Sequence, residues 1–87
     1  MHTDEYEISI GREIALCRKM IKKLQNSLAK REKQHGMTTA AFLRNLEAGP
    51  LPTELPFESW RREYQDLRHW RRSLQEYEEA LENLKRL

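Results

Sequence analysis

Apolar residues in the second half of the chain recur with a seven-residue rhythm. With Trp60 at the first heptad position, that column continues through Leu67, Leu74 and Leu81, while the fourth-position column reads Glu63, Trp70, Tyr77 and Leu84. From Leu67 onward the apolar steps alternate between three and four, the spacing of a helix that lays one seam along a partner helix. The first half carries the same alternation through Ile10, Ile14, Cys17, Ile21, Leu24 and Leu28. Met20 widens that stripe and Leu16 lies further round. The pattern predicts one helix over about 6–34 and another over about 57–86.

Between them the pattern breaks into stop and start signals. Gly36 is placed to end the first helix in a left-handed conformation, with His35 as the last capping residue. Thr38 reads as the N-cap of a short helix over about 39–48, with Met37 and Phe42 positioned as a hydrophobic staple. Ala41 stands where a glutamate would complete a capping box. Gly49 is expected as a left-handed stop and Pro50 as a block to continuation. A proline-stiffened connector over 49–56 follows, and Pro56 suits the first position of the last helix. Gly11, inside the first helix, marks either a close approach of a neighbouring backbone or a soft first turn.

Two long helices of about 30 residues each span about 45 Å apiece, and equal rods joined by a compact turn predict an antiparallel hairpin. The fold class is therefore all-α: a coiled-coil-like hairpin with a short helix in its turn, forming a single helical domain over 1–87. Phe57 and Tyr64 broaden the last helix where the short helix must dock, and Phe42, Leu43 and Leu46 are what it brings. An apolar share of 38% beside 34% charged residues suits long solvent-washed helices better than a closed globule. Leu16, Met20 and the aromatic flank exceed what one seam buries, so pairing of two hairpins into a larger bundle is expected. Charge placement favours an antiparallel homodimer. Residues 18–72 carry thirteen Lys/Arg against six Asp/Glu, whereas 1–17 and 73–87 carry three against eight.

Candidate chemistry is sparse. Cys17 sits within the seam and reads as a small buried hydrophobe. His2, His35 and His69 lack metal-ligand spacing, and Glu76, Glu79 and Glu82 form a solvated face, with Glu78 flanking the seam. No catalytic, cofactor or metal site is expected. Arg31 and Glu63 interrupt the two fourth-position columns at similar height, which predicts a cross-helix ion pair setting register. The basic end is more informative: Arg61, Arg62, Arg68, Arg71 and Arg72 are the expected partner-binding residues, with Phe42 and Trp60 shaping that end. An acidic protein partner fits these arginines. The alternative is nucleic acid, bound by the same residues with Lys19, Lys22 and Lys23. No apolar run is long enough to span a membrane, and no basic-then-apolar leader opens the chain, so a cytoplasmic location is expected.

Gly36-Met37-Thr38-Thr39, Phe42-Leu43, Gly49 and Phe57-Glu58-Ser59-Trp60 together resemble the pattern of a family of small prokaryotic helical-hairpin proteins. Members of that family are antitoxin-like components, often paired with a toxin that acts on RNA. The resemblance spans Lys33 to Leu74, about half the chain, and its motifs are structural ones. It implies a non-enzymatic protein that neutralises a partner toxin. Ala40-Ala41 departs from the acidic pair usual after the cap, and the Pro50 to Pro56 stretch from a shorter Gly-Asp-type link.

Overall fold

The computed structural model describes residues 5–49 and 55–86, with side-chain environments from 57 onward in the second stretch. All regular structure among them is helical: α1 spans Glu5–His35, α2 Thr39–Ala48 and α3 Leu55–Lys85. The acidic Glu5 and Glu7 in the first turn of α1, with Lys33 and His35 in its last, complement the helix dipole. Leu55 opens α3 one residue before the expected start, so Pro56 still falls within the first turn, where a missing N–H costs nothing. The connector residues 50–54 and residues 1–4 lie outside the described residues.

α1 and α3 pack along each other over an envelope of 57 × 21 × 18 Å. Residue numbers that rise along α1 meet numbers that fall along α3. Arg18 reaches Glu78 at 3.6 Å, and Arg31 reaches Glu63 at 2.8 Å. Ile10, Ile14, Cys17 and Leu28 of α1 are buried, as are Trp60 and Leu67 of α3. Leu74, Tyr77, Leu81 and Leu84 are only half-buried. Burial therefore does not fall off evenly from α2: at the far end α1 keeps Ile10, Ile14 and Cys17 buried, while the facing stripe of α3 is half-covered.

The turn follows its residues closely. Gly36 adopts φ +63°, and the N–H of Met37 donates to the carbonyl of Glu32 at 3.2 Å, closing the C-terminus of α1 as a Schellman motif. Thr38 caps α2 by accepting the Ala41 N–H at 3.1 Å. Gly49 departs from the left-handed stop expected of it: its backbone is extended, φ −162° and ψ 178°. It precedes Pro50, whose ring drives the preceding residue towards extended geometry. At Gly11 an added methyl group would meet nothing within 4 Å. The close approach considered for Gly11 is therefore not present within the chain, and its missing side chain simply opens a depression bordered by Ile14 and Leu81.

The Arg31–Glu63 pair forms as the heptad columns predict. Nε and Nη2 of Arg31 both donate to Oε1 of Glu63, at 3.2 and 2.8 Å. Each side chain retains about a fifth of its exposure, 20% and 22%. Oε2 of Glu63 is buried and takes neither of the Arg31 bonds. Burial pushes the Glu63 carboxyl up, but hydrogen bonding from Arg31 and the nearby Ser27 hydroxyl, with the Arg31 charge, outweighs it and holds the group below its ordinary value. A depressed carboxylate contributes stability that is complete above its unfolded pKa and is lost as pH falls through the folded one.

Two stability predictions follow from these contacts. Gly11→Ala should stabilise the chain by about 1 kcal/mol, because it removes the helix-propensity deficit of glycine without a clash; chemical denaturation measures it. Glu63→Gln should destabilise by about 1–2 kcal/mol at neutral pH, and the gap to wild type should close in acid below the ordinary glutamate range. A gap unchanged between pH 7 and pH 3 would show that the charge of Glu63 contributes nothing.

Candidate functional site: the basic, aromatic end

The site grows from one side chain. Trp60 is fully buried, and its ring lies parallel to Phe42, centroids 4.1 Å apart and planes within 5°. His35, the last residue of α1, stacks on the same indole at 5.3 Å, and Phe57 lies against both His35 and Phe42 at 5.5 and 5.6 Å. The aromatic group thus draws on all three helices. Leu28 and Leu67 complete the buried cluster, with Met37, Leu43, Leu46 and Tyr64 packed on it half-exposed.

A buried indole N–H left unpaired would cost about 1–3 kcal/mol. Here Nε1 of Trp60 donates to Oγ1 of Thr39 at 3.0 Å. Thr39 is itself buried, and its backbone N–H donates to the Glu32 carboxylate of α1 at 2.6 Å. One residue at the start of α2 therefore ties that helix to both others. Glu32 thereby satisfies one of the free N–H groups at the α2 N-terminus, that of Thr39 rather than the Thr38 N–H a capping box would have engaged. The sequence signals for Glu32, Thr39 and His35 were weak: each is a polar residue whose partner is distant in the chain.

The expected partner-binding set divides in two. Phe42 and Trp60 are interior, 3% and 0% exposed, so neither can touch a partner. They give the end its shape from inside. Arg61, Arg62, Arg68, Arg71 and Arg72 are all exposed. Among the described residues, no carboxylate lies within ion-pair distance of any of them. They do not share one face, however. Arg61, Arg68 and Arg72 follow one another at helical spacings of seven and four along α3, beside Gln65, whereas Arg62 and Arg71 project to either side. Between α2 and α3 runs a groove of about 430 Å³ lined by Leu43, Leu46 and Tyr64 with Arg61 and Arg68. A second depression of about 280 Å³, containing Arg68, His69 and Arg72, continues it.

Elsewhere the chemistry is structural. Cys17 is fully buried, and burial followed by the charge of Glu13 raises its thiol pKa above the ordinary value, with a backbone hydrogen bond opposing. That environment disfavours a thiolate. Among the described residues no group of His, Cys, Asp and Glu is arranged to hold a metal ion, and no helix is long and apolar enough to cross a membrane. His69 meets the edge of Trp70 at 5.9 Å.

Thr39→Val, which keeps the shape and removes the acceptor, should destabilise by about 1–3 kcal/mol, whereas Thr39→Ser should retain most of the stability. Thermal or urea unfolding of the two variants checks this, and equal losses would show that the hydroxyl is not what matters. Compared with known proteins, the chain matches no family model, no curated protein sequence and no solved structure.

Proposed function

We propose that this chain is a non-enzymatic protein–protein interaction module of the antitoxin-like kind, a helical hairpin that neutralises a partner toxin by covering its working surface. The observation that carries this reading is the exposed row of arginines with no carboxylate partner among the described residues, mounted on an aromatic plug. A guanidinium in such a position is held ready for an external carboxylate, and its planar fork gives directional contacts. The mechanism is occlusion. The module contributes shape and charge, and no bond is made or broken.

Self-association belongs to the same reading. Ile8 and Leu16 of α1 are 42% and 43% exposed, and the α3 stripe is half-covered at the end away from α2. A second hairpin laid antiparallel covers this surface and sets the basic end of each copy beside the acidic end of the other. Nucleic acid remains the alternative for the arginines, with Lys19, Lys22 and Lys23 exposed on α1. The burial of Trp60 and Phe42 counts against it, because single-stranded nucleic acid is bound largely by stacking bases on accessible aromatics.

Two measurements test the proposal. Sedimentation at micromolar concentration should give the mass of two chains, and Leu16→Lys should give the mass of one; a wild-type mass of one chain would sink the dimer. The product of an adjacent toxin-like reading frame, co-expressed with this chain, should purify with it and lose its RNA-cleaving activity at equimolar ratio. The double variant Arg68→Glu/Arg72→Glu should restore that activity with helicity unchanged. An adjacent toxin that stays active in the presence of the wild-type chain would remove the antitoxin reading.

A further inference from the structure

The two depressions on the basic end share Gln65 and Arg68, so they form one trough along α3. Its length follows from helix geometry: Arg61 to Arg72 is about 16 Å, three turns at 1.5 Å per residue. The floor at the α2 side is apolar, made by Leu43, Leu46 and Tyr64, each half-buried and therefore still presenting carbon to solvent. The α3 rim is cationic at three heights, Arg61, Arg68 and Arg72. The α2 wall carries one carboxylate, Glu47.

We infer that this trough is the docking site for an acidic amphipathic helix of a protein partner, with one bulky apolar side chain seated between Leu43, Leu46 and Tyr64 and carboxylates along Arg61, Arg68 and Arg72. The inference rests on the interaction-module reading above and names the partner's chemistry. Charge complementarity selects the occupant. A helix lying in the trough presents carboxylates to the arginines at spacings of seven and four, so they fall on one face of it, with the apolar anchor on the neighbouring face that turns towards α2. The trough also excludes the other polyanion. A phosphate backbone has nothing to offer the leucine floor, and the carboxylate of Glu47 on the opposite wall repels it. For a peptide helix the same Glu47 is an asset, because it faces the flank where a lysine or arginine can sit and so fixes which way round the helix lies. Arg62 and Arg71 stand outside the trough and are not part of the site.

The test uses the full chain and a fluorescein-labelled synthetic helical peptide with glutamates at positions i, i+7 and i+11 and a leucine anchor on the adjacent face. A scrambled peptide of identical composition and a generic single-stranded RNA are run beside it in anisotropy titrations at fixed salt. The expected result is binding of the designed peptide at least tenfold tighter than the scrambled one. Arg68→Glu and Leu46→Gln should each weaken it at least tenfold, and Arg62→Glu, with the same change of net charge on another face, should change it less than twofold. Circular dichroism of each variant establishes that the helices are retained. Equal binding of the two peptides, or equal losses from Arg62→Glu and Arg68→Glu, would overturn the docking site while leaving the module reading intact. RNA binding that exceeds peptide binding and is lost in Arg68→Glu would overturn both.

Discussion

One indole N–H governs the architecture. Trp60 has no exposed atom of consequence, so its single polar group must be satisfied from within, and Thr39 is where that happens. Because Thr39 is the first residue of α2, satisfying Trp60 fixes the start of that helix against α3. The same residue's backbone N–H is held by Glu32, which fixes it against α1. Three helices are tied at a point with little room for adjustment. The parallel stack of Phe42 on Trp60, and the His35 ring on Trp60, then fill the space around the hydrogen bond. A hydrophobic cluster alone tolerates sliding; a cluster built round a directional bond does not.

From this point the directional contacts thin out with distance. Next comes the Arg31–Glu63 pair, a little over one turn further along α1 from its end, which holds register with two hydrogen bonds to one carboxylate oxygen. Beyond it the seam relies on apolar contact between two helices. The surface pair of Arg18 with Glu78, exposed on both sides, adds little. At the far end Ile10, Ile14 and Cys17 of α1 are still buried, while Leu74, Tyr77, Leu81 and Leu84 of α3 stay half-covered. This thinning of directional contacts fits the division of labour proposed for the molecule: an end whose shape is fixed by hydrogen bonds and presents a charged surface, and a plainer end available for a second copy.

Much of the fold was legible because its causes are local or periodic. The seven-residue rhythm of Ile14, Ile21 and Leu28 against Leu67, Leu74 and Leu81 is a property of single helices, and it survives into the structure. Gly36 and Thr38 act through bonds within a few residues, so their roles could be read directly. Glu63 facing Arg31 was legible because both break an otherwise apolar column. Gly49 was misread, since the proline after it decides its backbone rather than the helix before it. Glu32 and Thr39 were not legible as a pair, because their bonds depend on how the turn folds back. The candidate site shows the same split. That Arg61, Arg68 and Arg72 lie on one face follows from spacing, but that they border a leucine-floored groove depends on where α2 docks.

The proposed partner-binding role bears on how the arginines of the basic end are placed. Arg31 is matched to a carboxylate within the chain, whereas Arg68 and Arg72 make no ion pair among the described residues although Glu76 stands four residues beyond Arg72. Instead these two stand one turn apart as like charges, a placement that costs a helix a few tenths of a kcal/mol. Arg71 beside Arg68 at the three-residue spacing adds to it. Each mutual repulsion is relieved when an external carboxylate arrives, and a well-placed interfacial charge pair can return more than 1 kcal/mol. On the proposed reading the free chain holds a small, distributed electrostatic repulsion that an acidic partner relieves. Because the repulsion lies along the α3 rim while the Trp60 plug sits beneath it, relief requires no rearrangement of the fold. If the proposal holds, such a surface discriminates by the spacing of a partner's charges, and this is what separates an interaction face from a merely basic one.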